Sequence, residues 1–176
     1  MREMVRYGFI LALICLVAAG SLAAVNALTR PKILAAALAE ENEALNQVMP
    51  LASKFTPVKE AGDEKILYYR AFDAQDKLIG YILKAEGKGY SSVIETLAGV
   101  FTDGKISAIK IIALNETPGL GMRVAEEGFT GQFKGKDSID LTGVNAITGA
   151  TISSKAVMDS VMQKAKEIRE LIKNDK

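Results

Sequence analysis

The sequence predicts an α+β fold: one apolar N-terminal helix, then a single domain in which an antiparallel sheet is flanked by helices. Three observations carry this. An uncharged stretch runs from Tyr7 to Leu28, long enough to cross a hydrocarbon core as a helix. Between Ile66 and Leu114, apolar and β-branched residues come in short runs separated by turn signals. From Ser153 to Lys173, apolar residues fall on one helical face at Val157, Val161, Ala165, Ile168 and Ile172.

Arg2 and Arg6 precede the apolar stretch. Positive flanks stay inside, so residues 1–6 are assigned to the cytoplasm, 7–28 to a transmembrane anchor and the remainder to the extracytoplasmic side. Arg30 and Lys32 follow the stretch, which leaves the flanking charge nearly balanced. A cleaved signal peptide is the alternative, with Ala23 and Ala27 as small residues near a cleavage point. Apolar length favours the anchor. Ile14 stands where a lipoprotein signal wants a small residue, so Cys15 reads as a lipid-facing or helix-packing side chain.

Residues 29–57 form a linker helix. From Pro31 a second helical pattern begins, and Lys32 to Val48 places Ile33, Leu34, Ala37, Leu38, Leu45 and Val48 on one stripe of a charged helix. Pro50 and Pro57 mark the change to extended structure. The domain proper occupies 58–176.

Inside it, Ile66–Phe72 and Leu78–Leu83 flank the polar cluster Asp73-Ala74-Gln75-Asp76 and form a hairpin. Glu95–Phe101 and Lys105–Leu114 form a second pair around Asp103-Gly104, a strong turn signal. Met122 to Phe133 reads as a helix interrupted at Gly128 or Gly131.

Composition removes several chemistries. The 176 residues hold 22 Lys+Arg against 21 Asp+Glu, so no basic bias points to nucleic acid. One cysteine and no histidine exclude an intrachain disulfide, a thiolate zinc site and a cysteine-ligated iron–sulfur cluster. A histidine base or a histidine-ligated metal is equally excluded. Redox work would need an organic cofactor or one supplied by a partner. Asp137 and Asp140 are too few for a hard cation, which wants six or more oxygens in a shaped loop. The charges of the last helix, Lys164 to Lys173, lie mainly off its apolar face and read as solvated.

Three segments carry candidate chemistry. Thr148-Gly149-Ala150-Thr151 is followed by Ile152-Ser153-Ser154, which clusters hydroxyls and a glycine at the mouth of the last helix. Unpaired N–H groups and the helix dipole favour an anion there. A threonine before a helix is ordinarily an N-cap, but a cap needs one hydroxyl and several are present. Asn115 to Gly121 (NETPGLG) is a strand end followed by Pro-Gly, which favours a type II turn. Gly87-Lys88-Gly89-Tyr90-Ser91-Ser92 is a glycine-rich hairpin loop whose tyrosine packs in the domain or covers a ligand.

Thr-Gly-Ala-Thr at 148–151 resembles the flavin-attachment sequence of the FMN-binding domain family, in which the last threonine carries FMN through a phosphoester. Glu-Thr-Pro-Gly-Leu-Gly at 116–121 resembles the signature shared by the RnfG proteins of Rnf complexes and the NqrC proteins of the sodium-pumping NADH:quinone oxidoreductase. Length and the full-chain match point to the RnfG proteins. The resemblance implies covalent FMN on Thr151, with Thr148, Gly149, Ala150, Ser153 and Ser154 around it. It implies that Glu116, Thr117, Leu120 and Gly121 line the flavin pocket, and that Gly89 and Tyr90 belong to a weaker GxGY element. Ser92 stands where the family often has a glycine, and Asn145 where it usually has an aspartate.

The activity implied is that of an electron-carrying subunit in an ion-translocating ferredoxin:NAD oxidoreductase, not of an enzyme acting alone. Its partners would be the other membrane and peripheral subunits, the bilayer, and a flavin transferase for maturation. A scaffolding subunit without flavin and a stand-alone extracytoplasmic flavin carrier are the alternatives; Asn145 keeps the first of these open.

Overall fold

The computed structural model describes residues 2–59 and 66–174. The chain divides into two compact units, residues 1–42 and 43–176. The first is helical. Helix α1 spans Arg2–Val48 with Pro31 inside it, so one helical element stands where two were expected. Proline forfeits one backbone hydrogen bond but keeps a helical φ, and the good helix formers that follow it sustain the helix. Its most apolar window has a mean hydropathy of 2.5 and is not buried, so by length and composition α1 can cross a membrane. Of the expected stripe, Ile33 and Leu38 are exposed, while Leu45 and Val48 are buried. The side chains of Leu34 and Ala37 lie outside the described residues.

The second unit is built on a five-stranded antiparallel meander, β1 (Lys54–Lys59), β2 (Ile66–Phe72), β3 (Leu78–Lys88), β4 (Val93–Phe101) and β5 (Ile106–Ala113), in that spatial order. Both expected hairpins are present, with Leu83 paired to Tyr68 and Ile109 to Ala98. Strand β1 was not foreseen, and the expected boundary at 57/58 falls inside it. Pro57, opposite Tyr69, is tolerated because β1 is an edge strand that needs no donor on its outer side. β3 runs on to Lys88, which puts Gly87 and Lys88 in the sheet and leaves only residues 89–92 as the turn.

Each sheet face has its own core. On one side the last helix, α3 (Thr151–Asn174), packs Val157, Val161, Ala165 and Ile168 against Leu83, Ala85, Ile94 and Ala98. These four are the face expected from the sequence; the side chain of Ile172 lies outside the described residues. On the other side Ala44, Leu45, Val48 and Met49 cover Tyr69, Ala71, Ile82 and Leu97. The segment expected as one helix over Met122–Phe133 is three short pieces: a 3₁₀ turn Gly121–Ala125, α2 (Glu127–Thr130) and a second 3₁₀ turn Gly131–Phe133. The break falls at Glu126, which is extended at φ −73 and ψ 148. Phe129 and Phe133 stack edge to face in the α3-side core, 5.3 Å between centroids.

Thr96 in β4 is fully buried, and its hydroxyl has no partner among the described residues. A buried hydroxyl without a partner keeps its desolvation cost. Thr96→Val is therefore expected to raise stability by about 1 kcal/mol, read from the urea midpoint at unchanged slope; a lower midpoint would show that the hydroxyl is satisfied.

Candidate functional site

The Thr-Gly-Ala-Thr run forms a tight turn leading directly into α3. The Ala150 N–H donates to the Ile147 carbonyl at 2.9 Å, and Gly149 sits at φ +83, a left-handed value that favours glycine. Ser154 staples this turn to the helix: its hydroxyl accepts the Ile147 N–H at 3.0 Å and donates to the Ala150 carbonyl at 2.9 Å. The hydroxyls therefore divide by role. Ser153 and Ser154 are buried and bonded, whereas Thr148 and Thr151 are exposed. Among the described residues neither threonine hydroxyl has a hydrogen-bond partner. Thr151 opens α3 without acting as its cap.

Pro118-Gly119 makes the turn its sequence predicts. The Leu120 N–H donates to the Thr117 carbonyl at 3.2 Å, with Gly119 at φ +76 as a type II turn requires. The two glycine turns meet, since a Cβ on Gly149 would lie 3.2 Å from Leu120 Cδ2.

Glu116 is at the centre of the arrangement. It is only 4 % exposed. Its Oε1 accepts the N–H groups of Ser91 and Ser92 at 3.0 and 2.9 Å. Its Oε2 accepts the Ser153 hydroxyl at 2.8 Å and the Tyr90 N–H at 3.3 Å. Ser92 also uses its hydroxyl to accept the Asn115 N–H at 2.9 Å. Burial pushes the Glu116 carboxyl up, but the Ser92 N–H, the Ser153 hydroxyl and the Ser91 and Tyr90 N–H groups outweigh it. The carboxyl is held below the usual range and stays ionised. The carboxylate thus ties the 89–92 turn, the Pro-Gly loop and the first turn of α3 into one body.

Two signature glycines owe their identity to this carboxylate. A Cβ on Gly89 would lie 2.5 Å from Glu116 Oε1, and one on Gly121 would lie 2.7 Å from Oε2. Gly121→Ala is expected to push the carboxylate off its donors at a cost of about 2 kcal/mol, lowering the urea midpoint; an unchanged midpoint would mean that the loop yields freely.

The structure therefore brings Gly89, Glu116, Leu120, Gly121, Gly149 and Ser153 together, with Thr151 beside them on the surface. It places Glu116 as an internal tie whose bonds are taken within the chain. Tyr90 is 72 % exposed and belongs to neither core cluster of the described residues, while Ala150 is buried. Thr117 contributes its carbonyl to two N–H donors, Leu120 and Met122. Ser91, which binds through its backbone alone, left no side-chain signal in the sequence.

Asn145 and Thr148 line a cleft of about 290 Å³ with Arg123, Gln132 and Ile147. Gln132 Oε1 accepts the Asn145 N–H at 2.8 Å, so the backbone of residue 145 is fixed and its side chain faces solvent. A cavity of about 630 Å³ lies near the other end of α3, at Tyr81, Ile168 and Arg169, and includes no motif residue. Asp137 pairs with Arg169 at 3.3 Å, and Asp140 accepts the Thr142 N–H at 3.0 Å.

Chemically, the site offers one exposed, unengaged hydroxyl at a helix N-terminus, preceded by a glycine turn. That fits a phosphoester: the ester oxygen is available, and the first N–H groups of α3 favour its charge. No base lies within hydrogen-bond reach of Thr151 among the described residues, so nothing there activates the hydroxyl.

Residues 89–166 match the FMN-binding domain family, and residues 1–48 match the RnfG N-terminal region. The chain is 34 % identical to the G subunit of the proton-translocating ferredoxin:NAD(+) oxidoreductase complex of Clostridium ljungdahlii, over 90 % of this chain and 88 % of that one. It is 32 % identical to the G subunit of the Na(+)-translocating ferredoxin:NAD(+) oxidoreductase complex of Acetobacterium woodii, over 89 % and 87 %. In fold it resembles the crystal structure of NqrC from Shewanella oneidensis, with a TM-score of 0.51 at 22 % identity, over 65 % of this chain and 66 % of that one. A second likeness is to the corresponding polypeptide of the Na(+)-translocating NADH-quinone reductase from Parabacteroides distasonis. The TM-score there is 0.53 at 22 % identity, over 70 % of this chain and 79 % of that one.

Proposed function

The chain belongs to the RnfG family of FMN-binding domain proteins, found in ion-translocating ferredoxin:NAD oxidoreductase complexes, and from that premise we propose that it is a membrane-anchored carrier whose FMN is esterified to Thr151. The observation that supports this reading best is the Thr151 hydroxyl, exposed and without a partner among the described residues, at the start of α3 where the motifs converge. FMN, when bound, supplies one- and two-electron exchange. The chain's own residues do the rest. Gly149 shapes the turn, Ser154 locks it to α3, and the Glu116–Ser153 bond holds the helix start against the Pro-Gly loop. Leu120 and Tyr90 offer exposed apolar surface beside the attachment point.

In this reading residues 7–28 anchor the chain and the domain faces the extracytoplasmic side. There a covalent bond retains a nucleotide that could not be replaced once lost. Since no base lies within hydrogen-bond reach of Thr151 among the described residues, a separate flavin transferase makes the ester.

The test is the intact mass of the chain from its native membrane, with mapping of the peptide that contains Thr151. A gain of one FMN less one water on that peptide is the expected result. An unmodified peptide would leave a scaffold or a non-covalent flavin binder.

Asn145 gives the scaffold reading its one foothold. Its side chain is exposed and lines the same cleft as Thr148, at the position where the family usually has an aspartate, whose charge would aid recognition by a flavin transferase. A charged hydrogen bond exceeds a neutral one by about 1 kcal/mol, or roughly fivefold in rate. Asn145→Asp is expected to speed attachment by about that factor, followed as the modified fraction over time. Equal rates would remove residue 145 from recognition.

A further inference from the structure

The segment from 145 to 148, which leads into the Thr151 turn, has no regular structure, so its conformation depends on single hydrogen bonds. Before it, the Val144 N–H donates to the Leu141 carbonyl at 3.0 Å, and both side chains are buried. Near its end, the Ile147 N–H donates to the Ser154 hydroxyl. Between these points one side chain holds the backbone. Gln132 Oε1 accepts the Asn145 N–H at 2.8 Å, and Gln132 Nε2 donates to the Asn145 carbonyl at a longer 3.5 Å. Among the described residues, residue 145 has no other hydrogen-bond partner and Ala146 has none.

A side-chain amide carries an acceptor and a donor side by side, as a peptide group does, so one glutamine can bond both polar groups of one residue. The same Nε2 donates to the Gly128 carbonyl at 3.1 Å, which fixes the orientation of the amide. Gln132 is itself firmly held. It sits in the 3₁₀ turn Gly131–Phe133, and Phe133 beside it is fully buried against Phe129. Gln132 therefore extends the rigidity of the α3-side core to an exposed segment, and so sets how the exposed Asn145 and Thr148 project. The two charged residues of this cleft face each other, Arg123 Nε to Glu126 Oε2 at 3.7 Å, and leave the amide to residue 145 and Gly128. A segment already held in one conformation binds a partner without first losing that freedom.

We propose that Gln132 is a positioning residue for flavin attachment: its amide presents residues 145–148 in the form that a separate flavin transferase binds before it esterifies Thr151. The inference rests on the carrier reading, in which a separate enzyme makes the ester. Gln132 has no bond to Thr151 and acts through the backbone of residue 145.

The experiment follows the modified fraction of the Thr151 peptide over time after synthesis, in the full chain made in its own cells. Gln132→Leu removes both bonds to residue 145 and is expected to slow attachment about tenfold, the weight of one to two neutral hydrogen bonds. Gln132→Glu keeps the acceptor for the Asn145 N–H but loses the donor, so it is expected to recover part of the rate. Ile82→Val, in the core on the other side of the sheet, lowers stability without touching this segment and is expected to match the wild type. Urea midpoints of the four chains are read alongside. Equal rates for Gln132→Leu and the wild type, or faster attachment to Gln132→Leu, would overturn the proposal. So would no recovery with Gln132→Glu, or a rate that falls with the midpoint in Ile82→Val as well. In each of those cases the modified wild-type peptide leaves the carrier reading standing. A wild-type peptide that is never modified overturns that reading, and this inference with it.

Discussion

A Thr151→Ala chain is expected to leave the membrane folded and wholly without covalent flavin. The loss should be complete because the ester needs an oxygen at this position, and the nearest hydroxyls cannot replace it. Ser153 and Ser154 are buried and committed, one to Glu116 and the other to the Ile147–Ala150 turn. Thr148 is exposed, but it lies on the far side of Gly149 and outside the helix. Stability should hardly change. Thr151 is exposed, its hydroxyl makes no hydrogen bond among the described residues, and alanine is the best helix former, so the shift should stay within about 0.5 kcal/mol. The measurement is flavin fluorescence of the denatured band together with its mass. Thr151→Ser, which restores an oxygen at the same backbone position, is expected to regain part of the modification. Residual flavin on the alanine chain would move the attachment point to Thr148, while an unfolded alanine chain would mean that Thr151 caps α3 after all.

How much of this was legible beforehand depends on the kind of signal each feature leaves. Strand β2 was legible because Ile66–Phe72 is a β-like run followed by the polar cluster Asp73–Asp76, and Asp103-Gly104 marked the β4–β5 hairpin, where Gly104 takes a left-handed φ of +91. β1 was invisible, since a short edge strand containing Pro57 shows neither alternation nor β-propensity strong enough to separate it from a linker. The two short 3₁₀ turns and α2 had the composition of one helix, and the extended Glu126 that breaks them has no sequence signature. At the site, the motifs were found in order, and the glycine turns followed from Pro118-Gly119 and Thr148-Gly149. What the residues alone could not reveal is that Glu116 faces inward. Its partners are mostly backbone N–H groups, which every sequence has, and only the fold places them around one carboxylate.

That placement yields the second large effect. Glu116→Gln is expected to destabilise the second unit by about 3 kcal/mol, because hydrogen bonds to a charged group contribute about 1.5–3 kcal/mol each and the amide cannot accept at both ends. The glutamine Oε1 can still take the Ser91 and Ser92 N–H groups, but its NH₂ then faces the Tyr90 N–H, donor against donor. The Ser153 hydroxyl can turn round and accept, so the link to α3 weakens without vanishing. The pH dependence has a fixed sign. Burial raises the Glu116 carboxyl and its four donors lower it further than burial raises it, so the folded value lies below the unfolded one. The unfolded chain therefore binds this proton first as pH falls. The stabilisation is complete above the unfolded carboxylate value, about pH 4.3, and is lost as pH falls through the depressed folded value. Urea midpoints measured downward from neutrality should fall more steeply for the wild type than for Glu116→Gln, with the two curves converging in acid. Parallel curves would mean that other carboxylates carry the acid sensitivity and that the Glu116 charge is not what binds the three segments together.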